Sequence, residues 1–139
     1  YTCSITVPVP IEEACAAIGR VSDWWAKVFE GHAEKLNDVF TVRFGETFAT
    51  FRITEMVPDQ KIVWHVTGCY LPWLKDKTEW TGTEAIWHLS ASPGGTHIDF
   101  THAGLVPQVE CYSVCVKGWD QHIKGSLYQL LTTGKGSPT

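Results

Sequence analysis

No stretch of the chain approaches the roughly 20 consecutive apolar residues of a membrane span, so no integral membrane contact is expected. Positive charge is scarce. Eleven Lys and Arg stand against 15 Asp and Glu, for a net charge of −4, which argues against a basic surface for nucleic acid or anionic lipid. A glycine-rich phosphate loop is also missing: Gly94-Gly95 reads as a hairpin turn, and Gly134-Lys135-Gly136 falls in a polar tail. The cysteines, Cys3, Cys15, Cys69, Cys111 and Cys115, are odd in number and scattered. They do not read as a disulfide framework but as free thiols that pack as small apolar residues, which points to the cytoplasm. Cys111 and Cys115, four apart, would sit on neighbouring turns of a helix. A zinc site usually pairs two such clusters, and the chain has one, so neither metal nor cofactor is expected. Internal repeats are lacking.

What is abundant is tryptophan, with seven in 139 residues. Large rings need large, shaped places to sit. A chain of this length reads as one domain, residues 1–139, able to build a core without staples.

The main organising stretch runs from Gln108 to Leu131. Val109, Tyr112, Val116, Trp119, Ile123, Leu127 and Leu130 recur at steps of three or four, which is helical period and places them on one face. Pro107 is tolerated in a first turn, and Gly134 is a stop. Gly118 and Gly125 either weaken this helix or mark close approach of other backbone.

Upstream, Cys3–Val9 predicts a first strand ended by Pro8 and Pro10. Ile11–Ile18 predicts a short helix with Glu12 and Glu13 in its first turn, where carboxylates suit the dipole. Ser22 and Asp23 are capping types ahead of a second short helix over Trp24–Lys27. Residues 29–37 read as irregular or weak strand. Four strands follow by alternation, at Val39–Phe44, Thr47–Val57, Lys61–Thr67 and Glu79–Ser90. The last of these is expected to put Ala85, Trp87 and Leu89 on one face and Trp80, Glu84 and His88 on the other. Thr96–His102 is the final strand, and residues 132–139 read as a frayed tail. The apolar loop Gly68–Lys77 reads as a lid or packed edge. The order predicts an α+β fold in which an antiparallel sheet buries the terminal helix.

Specific short runs carry a family resemblance. They are Val7-Pro8-Val9-Pro10 with Glu12-Glu13, Trp24-Trp25, Ile53-Thr54-Glu55-Met56-Val57-Pro58 and Ile62-Val63-Trp64. Glu79-Trp80-Thr81-Gly82-Thr83-Glu84, Phe100-Thr101-His102-Ala103-Gly104-Leu105, Gly118-Trp119 and Gly125-Ser126-Leu127 complete the set. Over essentially its whole length the chain resembles the START-like, or SRPBCC, superfamily. Within it, the chain looks most like the subfamily named for the activator of the heat-shock chaperone ATPase. The resemblance implies a helix-grip fold: a curved antiparallel sheet of about six or seven strands round a long C-terminal helix, with two short helices after the first strand. It also implies a small apolar molecule, or a chaperone or other protein, as partner.

A curved sheet closed by a helix leaves a tapering hollow, filled by rings or left as a cavity. A cavity is the expectation, lined by Phe51, Ile53, Trp64, Val66, Trp87, Phe100, His102, Tyr112 and Trp119. His102 ends a strand whose other inward positions are Ile98 and Phe100. It is the candidate proton mover or ligand donor, unless it is a structural histidine bonded to loop backbone near Gly104. Three functions fit: an apolar-ligand carrier, a cyclase or dehydratase using His102 and Tyr112, and a co-chaperone-like interaction module.

Overall fold

A computed structural model describes residues 1–139. Strand β1 (Thr2–Val7) is followed by helices α1 (Ile11–Gly19) and α2 (Val21–Trp24). Six strands come next: β2 (Val28–Gly31), β3 (Val39–Phe44), β4 (Thr47–Val57), β5 (Lys61–Tyr70), β6 (Glu84–Ser92) and β7 (Gly95–Ala103). All seven form one antiparallel sheet in the order β1-β7-β6-β5-β4-β3-β2. The chain closes with α3 (Tyr112–Trp119), a π-helical stretch (Asp120–Leu127) and α4 (Tyr128–Thr133), continuous as one terminal helix of 22 residues. This is the expected helix grip.

Strand alternation decides which side chains enter the hollow. Ile5 and Val7, Ile98 and Phe100, Ala85 and Trp87, Trp64 and Val66, Phe51 and Ile53, and Phe40 and Val42 are all buried on the inner face. Two register shifts interrupt the pairing of β4 with β5, between Thr50 and Phe51 and between Ile53 and Glu55. Such bulges bend and twist a sheet, and here they help curl it round the helices.

The expected strand over Glu79–Ser90 begins five residues late, at Glu84. Thr, Trp and Glu alternate there as in a strand. However, Gly82 takes a left-handed backbone (φ 88°), which breaks an extended run. Thr81 N–H bonds the Thr78 carbonyl and Thr83 N–H the Trp80 carbonyl, so Thr78–Thr83 is a pair of tight turns. Trp80 therefore leaves the outer face assigned to it and stacks on Trp119, with centroids 5.9 Å apart and planes 7° apart.

The terminal helix starts at Tyr112 instead of Gln108. Glu79 reaches across and accepts from the Glu110 and Cys111 N–H groups at 2.8 and 3.3 Å. These helix-start donors thus find a carboxylate of the right sign for the dipole. The buried stripe is also rephased. Trp119, Ile123, Leu127 and Leu130 are buried as expected and Leu131 joins them, but in the first turns Cys111 and Cys115 are buried while Val109, Tyr112 and Val116 are only half-buried. Steps of four overshoot an α-helical turn by about 40° each, so this stripe would wind off the sheet. The π-helical stretch counters the drift. Its turn is wider, and Tyr128 N–H reaches back five residues to the Ile123 carbonyl.

Helix α2 lies over Val21–Trp24, so Ser22 and Asp23 are inside it and not at its cap. The expected frayed tail is docked: Thr139 exchanges backbone bonds with Lys27 and Trp25, and Ser137 N–H bonds the Ser126 hydroxyl at 2.7 Å. No helix is long and apolar enough to cross a membrane.

The centre is an aromatic stack. Trp25 lies parallel to Trp64 (planes 4° apart, 6.2 Å) and against Trp119 (4.9 Å), while Trp87 meets Trp24, Trp64 and Phe100 within 5.7 Å. Such pairs add stability beyond the area they bury. Trp64→Ala is expected to lower unfolding free energy by about 3–5 kcal/mol in a denaturant titration. A loss below about 1 kcal/mol would mean that this region is loosely packed.

Candidate functional site

The nine residues expected to line a cavity divide by position. Phe51, Ile53, Trp64, Val66, Trp87 and Phe100 lie in the closed core, each at most 1% exposed. Trp24 and Trp25, delivered by the α1–α2 segment, fill the hollow in front of them. Tyr112 is half-buried on the first turn of α3. Trp119 alone of the nine borders the apolar cleft at one end of the grip, and His102 sits behind it.

That cleft has a volume of about 170 Å³. The terminal helix supplies Val114, Cys115, Gly118, Trp119 and His122. Strands β3 and β4 with their turn supply Val42, Phe44, Thr47, Phe48 and Ala49. The 71–83 loop adds Leu71, Trp73 and Trp80, and Trp25 forms the floor. No lining residue carries a formal charge. Arg43 lies over the Phe48 ring at 5.3 Å, and its guanidinium also pairs with Glu30.

Backbone economy keeps the cleft open. A Cβ at Gly118 would meet nothing within 4 Å, and the same holds at Gly125. Neither glycine marks close approach of other backbone. Gly118 instead leaves room on the helix face that borders the cleft. The loop wall is pinned at several points. Leu71 N–H bonds the Lys77 carbonyl at 2.8 Å, Lys77 Nζ bonds the Leu74 carbonyl at 2.9 Å, and Lys75 N–H bonds the Glu110 carboxylate at 2.9 Å. Trp73, 47% exposed, stands at the mouth.

His102 is 1% exposed, and both its ring nitrogens are engaged. Thr83 Oγ1 gives its single proton to the Trp80 carbonyl at 2.6 Å, so at 2.9 Å it accepts from His102 Nε2. Trp119 Nε1–H donates to His102 Nδ1 at 3.0 Å. The chain Trp119 → His102 → Thr83 → Trp80 carbonyl is satisfied by one neutral tautomer. A second ring proton would set two donors against each other. Burial accordingly holds the pKa of His102 down, at about 4. The His102 ring is thus bonded to two side chains, and only the residue's carbonyl meets the loop backbone near Gly104, accepting from Leu105 N–H at 3.1 Å.

His122 lacks such partners. Its Nδ1 is sealed from solvent without a hydrogen bond, while its Nε2 is unbonded but not sealed. Burial lowers its pKa. A sealed N–H without an acceptor is costlier than a sealed lone pair, so the proton belongs on Nε2. Its ring sits 6.4 Å from Trp25 and 6.2 Å from Phe44. Helical period alone does not single out His122. Its place three residues after Trp119, beside the helix stripe, was the available signal.

Cys111 and Cys115 are both buried free thiols, and Cys115 borders the cleft. The pairing of the two thiols, with Trp80 Nε1–H on Cys111 Sγ at 3.3 Å, holds the Cys111 thiol below its ordinary pKa and pushes that of Cys115 up. No three His, Cys, Asp or Glu side chains gather anywhere in a metal-holding arrangement.

The His102 geometry sets a pH dependence. The unfolded chain protonates this histidine below about 6.5, and the folded chain only near 4. The stability that it contributes is therefore whole above pH 6.5 and is lost as pH falls toward 4. The full interval is worth about 3 kcal/mol at about 1.36 kcal/mol per pH unit. Denaturant midpoints between pH 7 and pH 4 are expected to fall more steeply for the native chain than for His102→Gln, which can replace both hydrogen bonds without titrating. Equal slopes would contradict this reading.

No protein-family model matches the chain, and no curated protein does. Solved structures share its fold. The Aha1 dimer from Colwellia psychrerythraea is 22% identical, with a TM-score of 0.79 over 97% of each chain. DynU16, a protein in the dynemicin biosynthetic locus, is 18% identical, with a TM-score of 0.73 over 97% of this chain and 48% of its own. CalU16 from Micromonospora echinospora is 18% identical, with a TM-score of 0.60 over 86% of this chain and 70% of its own. At these identities the likeness is one of architecture: a helix-grip α+β fold, with a curved antiparallel sheet round the terminal helix.

Proposed function

We propose that the protein is a carrier or receptor for a small apolar molecule, held in the cleft between the terminal helix, the β3–β4 turn and the 71–83 loop. The supporting observation is the cleft itself: an aromatic-walled, charge-free space of about 170 Å³ beside a core that is otherwise filled. Sites for small ligands have this character, apolar with a few placed polar groups. Gly68–Tyr70 extend β5, so only residues 71–77 of the expected lid serve as gate, with Trp73 at the rim.

The cyclase or dehydratase reading draws on the family resemblance and on His102, but the geometry of His102 does not favour it. Both ring nitrogens are occupied, and the ring does not border the cleft. The interaction-module reading has one observation in its favour. Val28, Leu36 and Val39 are at least half exposed near the β2–β3 edge, in a chain shaped like the Aha1 structure. Co-precipitation with a chaperone middle domain, retained by a cleft-filling variant and lost on Val39→Lys, would establish that reading in place of the first.

The carrier reading is tested with the neutral dye N-phenyl-1-naphthylamine, whose naphthyl ring suits the cleft. Saturable, one-to-one binding at micromolar dye is expected. Gly118→Leu places a side chain in the open space and is expected to weaken binding at least about tenfold while the protein still melts cooperatively. Gly118→Ala, a smaller change on the same helix, is expected to raise stability by about 0.5–1 kcal/mol. Unchanged dye affinity in Gly118→Leu would remove the cleft as the site.

A further inference from the structure

We infer that the cleft selects an uncharged, flat aromatic ketone or related carbonyl compound of one or two rings, whose oxygen accepts a hydrogen bond from His122 Nε2–H. The inference rests on the ligand-binding reading above and adds the chemistry of the ligand.

Size sets the first limit. A dry cavity of about 150 Å³ holds a benzene ring. A half-open cleft of about 170 Å³ therefore takes one ring, or two with the second toward the mouth. The walls set the second. Trp25, Trp80 and Trp119 present broad ring surfaces, which favour a flat π-system over a branched aliphatic chain.

Charge sets the third limit. With no charged lining residue, a carboxylate or ammonium would lose its water without gaining an ion partner. The polar atoms that remain free then decide the functional group. The indole N–H groups of Trp119 and Trp80 are already committed to His102 and Cys111. His122 Nε2 and Trp25 Nε1 make no hydrogen bond and are not sealed. Both are donors once the His122 proton sits on Nε2, as its sealed Nδ1 requires. The Thr47 hydroxyl also lines the cleft without a partner and can donate as well as accept, so donors outnumber acceptors and the site matches a ligand that brings an acceptor and no proton. A carbonyl oxygen does so, while a hydrocarbon leaves the donors bare.

The test compares three probes on the full chain: 2-acetylnaphthalene, 2-ethylnaphthalene and 2-naphthoate. Each is titrated at pH 7.5 by quenching of tryptophan fluorescence or by calorimetry. The native protein is expected to bind the ketone and the hydrocarbon, and to bind naphthoate more weakly than the ketone. In His122→Phe the ratio of ketone to hydrocarbon affinity is expected to fall about fivefold or more, the worth of one hydrogen bond. His122→Gln, which retains an N–H donor, is expected to keep most of that ratio. An unchanged ratio in His122→Phe, or naphthoate binding more tightly than the ketone, would overturn the inference while leaving an apolar site intact. Absence of binding by all three would overturn the ligand-binding reading and this one with it.

Discussion

The hydrogen bond from the Trp119 indole to His102 fixes how the terminal helix meets the sheet. It joins the centre of that helix to the end of β7, and it is possible only while the imidazole is neutral. The same indole packs on Phe100 at 4.5 Å, Trp25 at 4.9 Å and Trp80 at 5.9 Å, so one side chain touches the sheet, the α1–α2 segment and the 71–83 loop. Its inner edge belongs to the core and its outer face to the cleft. Anything that shifts Trp119 would move a wall of the site and a support of the fold together.

The seven tryptophans serve two ends. Trp24, Trp64 and Trp87 are sealed, and two of them keep buried N–H groups with no partner. Their rings meet neighbours nearly edge to face, an arrangement that partly compensates an unpaired N–H. Trp25, Trp73, Trp80 and Trp119 border the cleft. The aromatic excess thus builds a rigid block and a lined recess next to it. Rigidity suits a recognition site, because a preformed site loses less entropy on binding.

The architecture was legible because period and alternation are local properties of sequence, and burial enforces them along a sheet and a helix. Two features, a strand start and the phase of the helix stripe, were misread for reasons that local pattern does not carry. Glu79–Thr83 has strand-like composition, yet Gly82 turns the backbone left-handed, and Glu79 is needed across the molecule at the start of the terminal helix. The helix stripe was counted in steps of three and four from Val109. Its actual steps of four through Cys111, Cys115 and Trp119 become workable only once a π-helical turn corrects the phase.

The site was less legible than the fold. Alternation tells which side chains face inward, but not what meets them there. Phe51, Trp64, Trp87 and Phe100 do face the hollow, and Trp24 and Trp25 occupy it. Adjacent indoles beside a short helix were the clue that the hollow is filled from that side. Gly118 and His122, four apart on the helix, mark the space left over, and only three-dimensional packing distinguishes them from other surface positions.

The most direct measurement is the indole N–H region of a nitrogen–proton NMR spectrum during titration with 2-acetylnaphthalene. Seven indole signals are expected. Those of Trp25, Trp73, Trp80 and Trp119 should shift together in saturable fashion, while those of Trp24, Trp64 and Trp87 hold their positions. Movement led by Trp64 and Trp87 would place the ligand inside the core and contradict the account.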